Sequence, residues 1–563
     1  KIIYRTFSFL LLLSFSLILY LSLIGINTNK FNSQIISRIK NIEPNLKLNI
    51  NEVSAKLNLL SFAIDTKTIG TDLIYKNKII KLESIKSKIS LKSIIKNQFA
   101  ISEISISTKS IPIKDLLSFI RQLNKEPKLF VAEHIIDNGF IVADLKLDFD
   151  QFGKVKNNYT VKGLFNDGQI SLLNKRFSKL NFIFQITDKE LKFNDIKLLL
   201  NDNSVDVPEL LVMKQDNEFF VSGKLSSKNL NLKENDIRDF INFKTYNIDL
   251  KEITLSIDSD FNFLIDQNLG FKNFETKSNI KIDFLRLSNF LRLKKNFPNA
   301  IDDIKFKNQK IKLEYKKNDL KIVGFGDIFL QKKSDIFKYE IIKNGKEFNF
   351  DTNLIISKNP FKIDLLGYEK NEKSTLDLSL KGKLVKEKLF FKEILISENK
   401  NILSINDLEL SKNYKIEDIG NIKIEFKDKD NLENQVQLIK DNKNYKIIGN
   451  SFNINKIISE LLNSNNDKAE FFHKNFRLLF DIKKIYLDKN NITNNLKGFL
   501  LLDNNEITEA NLVSEFSDKK KIKFTIKTIN NNEKITTLFS SYAKPLVNRY
   551  KFIKGFNEGE LDF

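Results

Sequence analysis

The sequence has no cysteine and no tryptophan, one methionine, two histidines and seven prolines in 563 residues. Without cysteine there is no disulfide, no thiolate nucleophile and no Cys-ligated zinc or iron–sulfur cluster. The two histidines, His134 and His473, lie far apart with no spaced carboxylates beside them, so most imidazole chemistry is excluded as well. No phosphate-cradling GxxxxGK[ST] occurs, and Gly324-Phe325-Gly326 lacks the third glycine of a dinucleotide fingerprint and reads as a strand turn. Asp148-Phe149-Asp150 opens like a calcium loop, but its twelfth position falls on Tyr159 rather than Glu. Acidic pairs such as Asp302-Asp303 would point to opposite faces of a strand and read as a solvated turn. The chain is therefore expected not to be an enzyme, with no catalytic residue, no metal ligand and no cofactor.

What is present is apolar and basic. Hydrophobics make up 41% and aromatics 11%, enough to build a folded core, while Lys+Arg 92 against Asp+Glu 71 leaves a net charge of +21. The lysines are interleaved with Asp, Glu and Asn along the whole chain instead of forming a stripe, so no nucleic-acid partner is expected.

From Phe7 to Ile26 there is no charged residue, and a helix of that length covers the roughly 30 Å hydrocarbon core of a bilayer. Asn27, Thr28 and Asn29 follow without a small-x-small cleavage site, so the stretch reads as an uncleaved anchor, with Phe7, Leu10, Leu13, Leu17, Tyr20, Leu23 and Ile26 in the membrane. Because the chain starts at Lys1, a few residues are expected to precede it. Phe31, Ile35, Ile36, Ile39 and Ile42 then recur at helical spacing and predict a short amphipathic helix ending near Glu43-Pro44.

Beyond this helix the period changes to two. Leu145-Lys146-Leu147-Asp148-Phe149, Leu180 to Ile186, Ile280 to Phe284, Leu376-Asp377-Leu378-Ser379-Leu380 and Ile522 to Ile526 all alternate apolar with polar, which gives each strand one greasy and one wet face. Three short helical stripes interrupt the strands: Leu116, Leu117, Ile120 and Leu123; Leu287, Phe290, Leu291 and Leu293; Ile454, Ile457, Ile458, Leu461 and Leu462. A loose repeat in which a strand runs into Gly and turns appears at Gly163, Gly223, Gly382 and Gly449, at uneven spacing that fits neither a propeller nor a strict β-helix. The fold expected is mostly β: an N-terminal transmembrane helix followed by an elongated, curled antiparallel β-sheet groove with a few short amphipathic helices. About 30 strands at about 4.8 Å would extend on the order of 150 Å if uncoiled.

The span, the amphipathic helix, the strands Leu46 to Ile64, then Ile85-x-x-Lys88-Ile89-Ser90-Leu91 and Phe99-Ala100-Ile101 to Ile106, resemble the amino-terminal region of the AsmA-like proteins, close to their YhdP branch. Phe539-Ser540-Ser541-Tyr542-Ala543-Lys544-Pro545-Leu546, continuing through Phe556 to Gly559-Glu560-Leu561-Asp562, resembles the entry to that branch's carboxy-terminal region, although Ala543-Lys544 stands where an Ala-Gly pair is usual. The resemblance divides the chain into residues 1–28 (anchor), 29–130 (N-terminal AsmA-like region), 131–535 (groove repeats) and 536–563 (the start of a C-terminal region, expected to continue past Phe563).

The resemblance also implies a function: an inner-membrane-anchored bridge whose large domain lies in the periplasm and carries phospholipids between the inner and outer membranes. Its partners would be acyl chains, the inner membrane, and outer-membrane or periplasmic proteins. The implied groove lining includes Val161, Phe165, Ile170, Leu172, Leu180, Phe182, Phe184, Ile186, Leu191 and Phe193. Two alternatives stand beside it. One is an envelope assembly scaffold whose closed β core binds protein rather than lipid. The other is an anchored hydrolase of wall polymer, for which no paired carboxylates are visible.

Overall fold

The computed structural model describes every residue except 31, 43–44, 76–77, 97, 99, 124–126, 173–174, 201–202, 216–217, 238–248, 267–269, 289–292, 457–474, 504–505, 531–532, 551–557 and 563. Helix α1 (Ile2–Leu23) has 22 residues, about 33 Å at 1.5 Å per residue, and none of them is buried. It is long and apolar enough to cross a membrane. It stops short of the expected end because Gly25 adopts φ 79° and its N–H, with that of Ile24, bonds the Tyr20 carbonyl at 3.1 and 2.9 Å. Ile26 accordingly opens strand β1 (Ile26–Thr28), paired with Ala55, and lies beyond the helix it was expected to belong to. A Cβ on Gly25 would lie 2.6 Å from the Ala55 carbonyl oxygen, so both backbone conformation and space demand glycine here.

The expected amphipathic helix is α2 (Asn32–Ile42), with Phe31 outside the described residues. The chain continues through β2 (Leu46–Asn49), β3 (Glu52–Asn58), β4 (Ala63–Ile69), β5 (Thr71–Tyr75), β6 (Lys78–Ser90) and the single turn α3 (Leu91–Ile95). Next come β7 (Ile101–Thr108), β8 (Ile111–Pro112), α4 (Ile113–Leu123), α5 (Pro127–Ile135) and β9 (Ile136–Asp148). Long strands follow: β10 (Thr160–Leu172), β11 (Lys175–Thr187), β12 (Glu190–Leu200), β13 (Asn203–Gln215) and β14 (Glu218–Leu232).

Two compact units divide the chain: Lys1–Leu230 with Ile257–Thr276, and Asn231–Ser256 with Lys277–Phe563. In the first unit every described pairing from β1 to β14 is antiparallel, from β1 through β3, β4, β6, β7 and β9 to β14, with β2 and β5 branching from β6. In the second unit an open sheet runs from strand Ala300–Lys316 to strand Glu533–Ser540, antiparallel except where Asn444–Asn453 pairs parallel with Phe476–Tyr486.

Two expected helices need correction or lie out of view. Leu287 belongs to strand Phe271–Ser288: the strand begun before Ile280 runs on past Phe284, where the apolar side chains change face to Leu285 and Leu287, and strand pairing overrides the helical spacing. Leu293 opens a short 3-10 turn, while Phe290 and Leu291 fall outside the described residues. Ile454 follows its strand and donates its N–H to the Tyr486 carbonyl at 3.0 Å, and Ile457, Ile458, Leu461 and Leu462 fall outside the described residues. A helix that the sequence did not announce, Lys544–Tyr550, buries Leu546 and Val547.

The glycine repeat has a different cause from the one expected. Gly163, Gly223, Gly382 and Gly449 sit inside strands, not at turns; the first three, and Gly324 outside the repeat, leave room for an aromatic ring, whereas a Cβ on Gly449 would meet the Gln435 carbonyl oxygen at 2.4 Å. A Cβ would meet Phe184 at Gly163 (2.7 Å), Phe261 at Gly223 (2.8 Å), Tyr339 at Gly324 (2.4 Å) and Phe350 at Gly382 (2.7 Å). At Gly163 it would also reach the Val142 carbonyl oxygen at 2.2 Å, a backbone atom that cannot swing aside. Gly163→Val should therefore destabilise the first unit by about 2 kcal/mol, read as an earlier first transition in a thermal melt. An unchanged melt would show that the ring and strand can move apart freely.

Candidate functional site

Residues two apart in a strand share a face, so the cross-strand register decides whether the apolar sides of successive strands line up. In the first unit they do. Leu145, Val161, Ile186, Leu191, Val212 and Val221 form one rung across six strands. Ala143, Gly163, Phe184, Phe193, Leu210 and Gly223 form the next, and Ile141, Phe165 and Phe182 begin a third. The structure thus puts Val161, Phe165, Phe182, Phe184, Ile186, Leu191 and Phe193 on one continuous face. Phe182 stacks on Phe165 at 4.9 Å between centroids and meets Phe184 and Phe193 edge-on at 6.2 and 5.5 Å.

Part of that face is covered by protein. Phe165 and Leu180 are buried in a cluster with Ile113 and Leu117 of α4, against which Ile170, Phe182, Phe193 and Leu129 and Ala132 of α5 also pack. The cover is fastened by Glu133, which receives a hydrogen bond from Ser118 at 2.9 Å and an ion pair from Arg121 at 2.7 Å. Val161, Ile186 and Leu191 lie outside this cluster and stay half-buried. The side chain of Leu172 lies outside the described residues.

The longer rung is in the second unit, in strands whose alternation was visible but whose registry was not. It reads Ile311, Gly324, Tyr339, Thr352, Leu380, Ile394, Ile405, Ile422, Leu438, Ile447, Phe480, Gly498, Leu512, Phe524, Leu538. Fourteen interstrand steps at about 4.8 Å make a path of about 67 Å, with Thr352 its one polar side chain apart from the Tyr339 hydroxyl. Burial pushes that phenol up to about 12. A parallel rung runs Gly326, Phe337, Leu354, Leu378, Ile396, Leu403, Ile424, Val436, Gly449, Ile482, Leu496.

The two rungs differ in cover. The second packs under Phe297, Phe361 and Tyr368 at one end and under Leu487, Phe516 and Leu546 at the other. In the first, Leu380, Ile394, Ile405, Ile422 and Leu438 belong to neither cluster, and all five remain half-buried. Among the described residues neither buried cluster covers them, and they form a half-buried apolar strip five strands wide.

The other side of the same strands is polar and self-neutralising. Lys321–Glu340 at 2.7 Å, Lys381–Asp351 at 3.7 Å, Lys423–Glu425 at 2.7 Å and Lys446–Asp481 at 3.8 Å are exposed pairs, each worth at most about 1 kcal/mol.

Among the described residues no group of three His, Cys, Asp or Glu side chains could hold a metal. His473 lies outside them, and the His134 ring packs on Phe130 at 4.1 Å with Nδ1 2.8 Å from the Phe130 carbonyl. Asp150 closes its own turn by accepting the N–H groups of Phe152 and Lys154 at 2.9 Å, bonds that hold its carboxyl below the usual carboxylate range. Asp302-Asp303 is not a turn: both lie in strand Ala300–Lys316, where Asp303 faces Arg286 at 3.8 Å. Gly324 and Gly326 likewise lie within strand Asp319–Gln331.

At the Tyr368 end, the cover over the second rung is tied down by a buried carboxylate. Glu398, 2% exposed, accepts the Tyr368 hydroxyl and the Asn371 N–H at 2.7 Å, Asn401 Nδ2 at 3.3 Å and the Ser374 hydroxyl. Burial alone would raise the Glu398 carboxyl, but the hydrogen bonds from Ser374, Tyr368, Asn371 and Asn401 outweigh it and leave the carboxyl below its usual 4.5. Burial, with the carboxylate beside it, pushes the Tyr368 phenol well up.

Compared with known protein families, with curated proteins and with solved structures, the chain matches none.

A group whose folded pKa is depressed stabilises the fold fully above its unfolded value and loses that contribution as the pH falls through the folded one. Glu398→Gln should therefore lower stability by about 2 kcal/mol at neutral pH, with the difference from wild type shrinking in acid below 4.5. Thermal melts at the two pH values check this, and a pH-independent difference would mean the carboxylate charge does not hold the cover.

Proposed function

We propose that this chain is an anchored lipid carrier: held in the inner membrane by α1, with its sheet in the periplasm, it passes phospholipid acyl chains along an apolar β face toward the outer membrane. The observation that carries this reading is the half-buried strip from Leu380 to Leu438 within the fifteen-residue rung. Large contiguous apolar faces left open to water are uncommon in soluble proteins and mark the place of a ligand, partner or membrane. An acyl chain suits this one. Each methylene removed from water contributes about 0.8 kcal/mol, so a C16 chain contributes on the order of 10 kcal/mol, while the near-uniform aliphatic and Phe lining keeps the energy level from one strand to the next. Lipid can then bind strongly and still move. The resemblance of the chain to AsmA-like proteins points the same way.

The scaffold reading has its own support in the helical cover over Phe165 and Leu180, where the apolar face is filled by protein. The two readings part at the second unit. Native mass spectrometry of the full chain in mild detergent should find several phospholipids per chain. Ile405→Asp and Leu438→Asp, which place a charge on the half-exposed strip, should each remove most of that lipid with little change in melting. A stable wild-type protein free of lipid would overturn the carrier reading in favour of the scaffold.

A further inference from the structure

A second feature lies at the membrane end of the first unit. Strand β1 leaves α1 after Gly25 and pairs antiparallel with β3, so β3 runs back toward the helix end, and Lys56 Nζ lies 3.4 Å from the Leu23 carbonyl. The β3–β4 connection therefore comes beside the helix, presenting Leu59, Leu60 and Phe62 as exposed apolar side chains, with Leu60 fully exposed. The α3 turn adjoins it through the Leu91 N–H to Phe62 carbonyl bond and adds exposed Ile94 and Ile95. Five unshielded apolar residues next to a spanning helix are placed to enter a bilayer.

Between these tips and the helix end is a cavity of about 760 Å³, reached by Ser22, Lys56, Leu59, Leu60, Lys67 and Lys86. One rung of its floor reads Lys56, Asp65, Lys88, Glu103 and alternates in sign. The next reads Ser54, Lys67, Lys86, Ser105 and does not. Lys67 and Lys86 stand directly opposite each other, an arrangement that destabilises a sheet, and among the described residues neither has a carboxylate within ion-pair distance. Folding gains nothing from this pair, whereas an anion between the two ammonium groups would relieve their repulsion.

We propose that this cavity binds the phosphate of a membrane phospholipid head group between Lys67 and Lys86, while the Leu59, Leu60, Phe62, Ile94 and Ile95 side chains sit among the acyl chains. The inference deepens the carrier reading and shares with it the placement of α1 in a membrane. It concerns where lipid is first held, not where it travels.

The test uses the full chain in neutral detergent micelles, melted with and without added phosphatidylglycerol. The wild-type midpoint should rise by a few degrees with the lipid. The double variant Lys67→Gln/Lys86→Gln should lose at least half of that rise, yet melt no earlier than wild type in its absence, because the like-charge pair is gone. Lys86→Gln alone serves if the double variant does not fold. An undiminished rise in the variants overturns the proposal, and so does an equal rise with inorganic phosphate at the same concentration, which would make this a site for a free anion. The shift reports on this cavity whether or not lipid co-purifies with the second unit. A wild-type protein that purifies free of lipid but keeps the lysine-dependent shift would remove the carrier reading and leave this one standing.

Discussion

Everything in this structure depends on cross-strand register. A strand has a side-chain period of two, so a slip of one residue would turn every apolar side chain of that strand to the other face. The long rung of the second unit survives fourteen such alignments, including the parallel step from Ile447 to Phe480. Register is kept by what each side gains. Aliphatic and aromatic neighbours pack across the strands on one face, lysines and carboxylates pair on the other, and interior glycines such as Gly382 let a ring lie flat over the backbone.

The positive-φ residues inside the register shifts show how the chain adjusts without losing that alignment. Asp167 at φ 51° and Asn308 at φ 52° are short polar residues that tolerate the left-handed region, and they absorb extra length where a strand must curve. Insertions are taken up locally, so the spacing between repeats can stay uneven while the apolar face stays continuous.

The fold was legible where a single strand carries its own signal. Leu180 to Ile186 and Leu376 to Leu380 announce strands, and the uncharged run from Phe7 announces a spanning helix, because periodicity and length are local properties. What the residues could not announce was cover. Phe165 and Leu180 alternate as Leu380 and Ile405 do, yet α4 and α5 lie over the first pair and no buried cluster includes the second. An apolar residue has the same place in the pattern under a helix as under an acyl chain. The implied groove lining accordingly fell on the partly covered face of the first unit, while the strip that neither described cluster buries lies in the second. Ile26 and Leu287 were placed in helices for a related reason: the end of a helix or strand is decided by what the neighbouring chain offers, here pairing with Ala55 for the one and continued membership of strand Phe271–Ser288 for the other.

The joint at Gly25 has a mechanical meaning. A flexible linker would let a membrane helix tilt and spin without the attached domain following. Here only Ile24 and Gly25 separate Leu23 from the pairing of Ile26 with Ala55, and both are fixed by hydrogen bonds to the Tyr20 carbonyl. Helix and sheet edge therefore act as one lever, so any tilt of the helix must turn β3 with it.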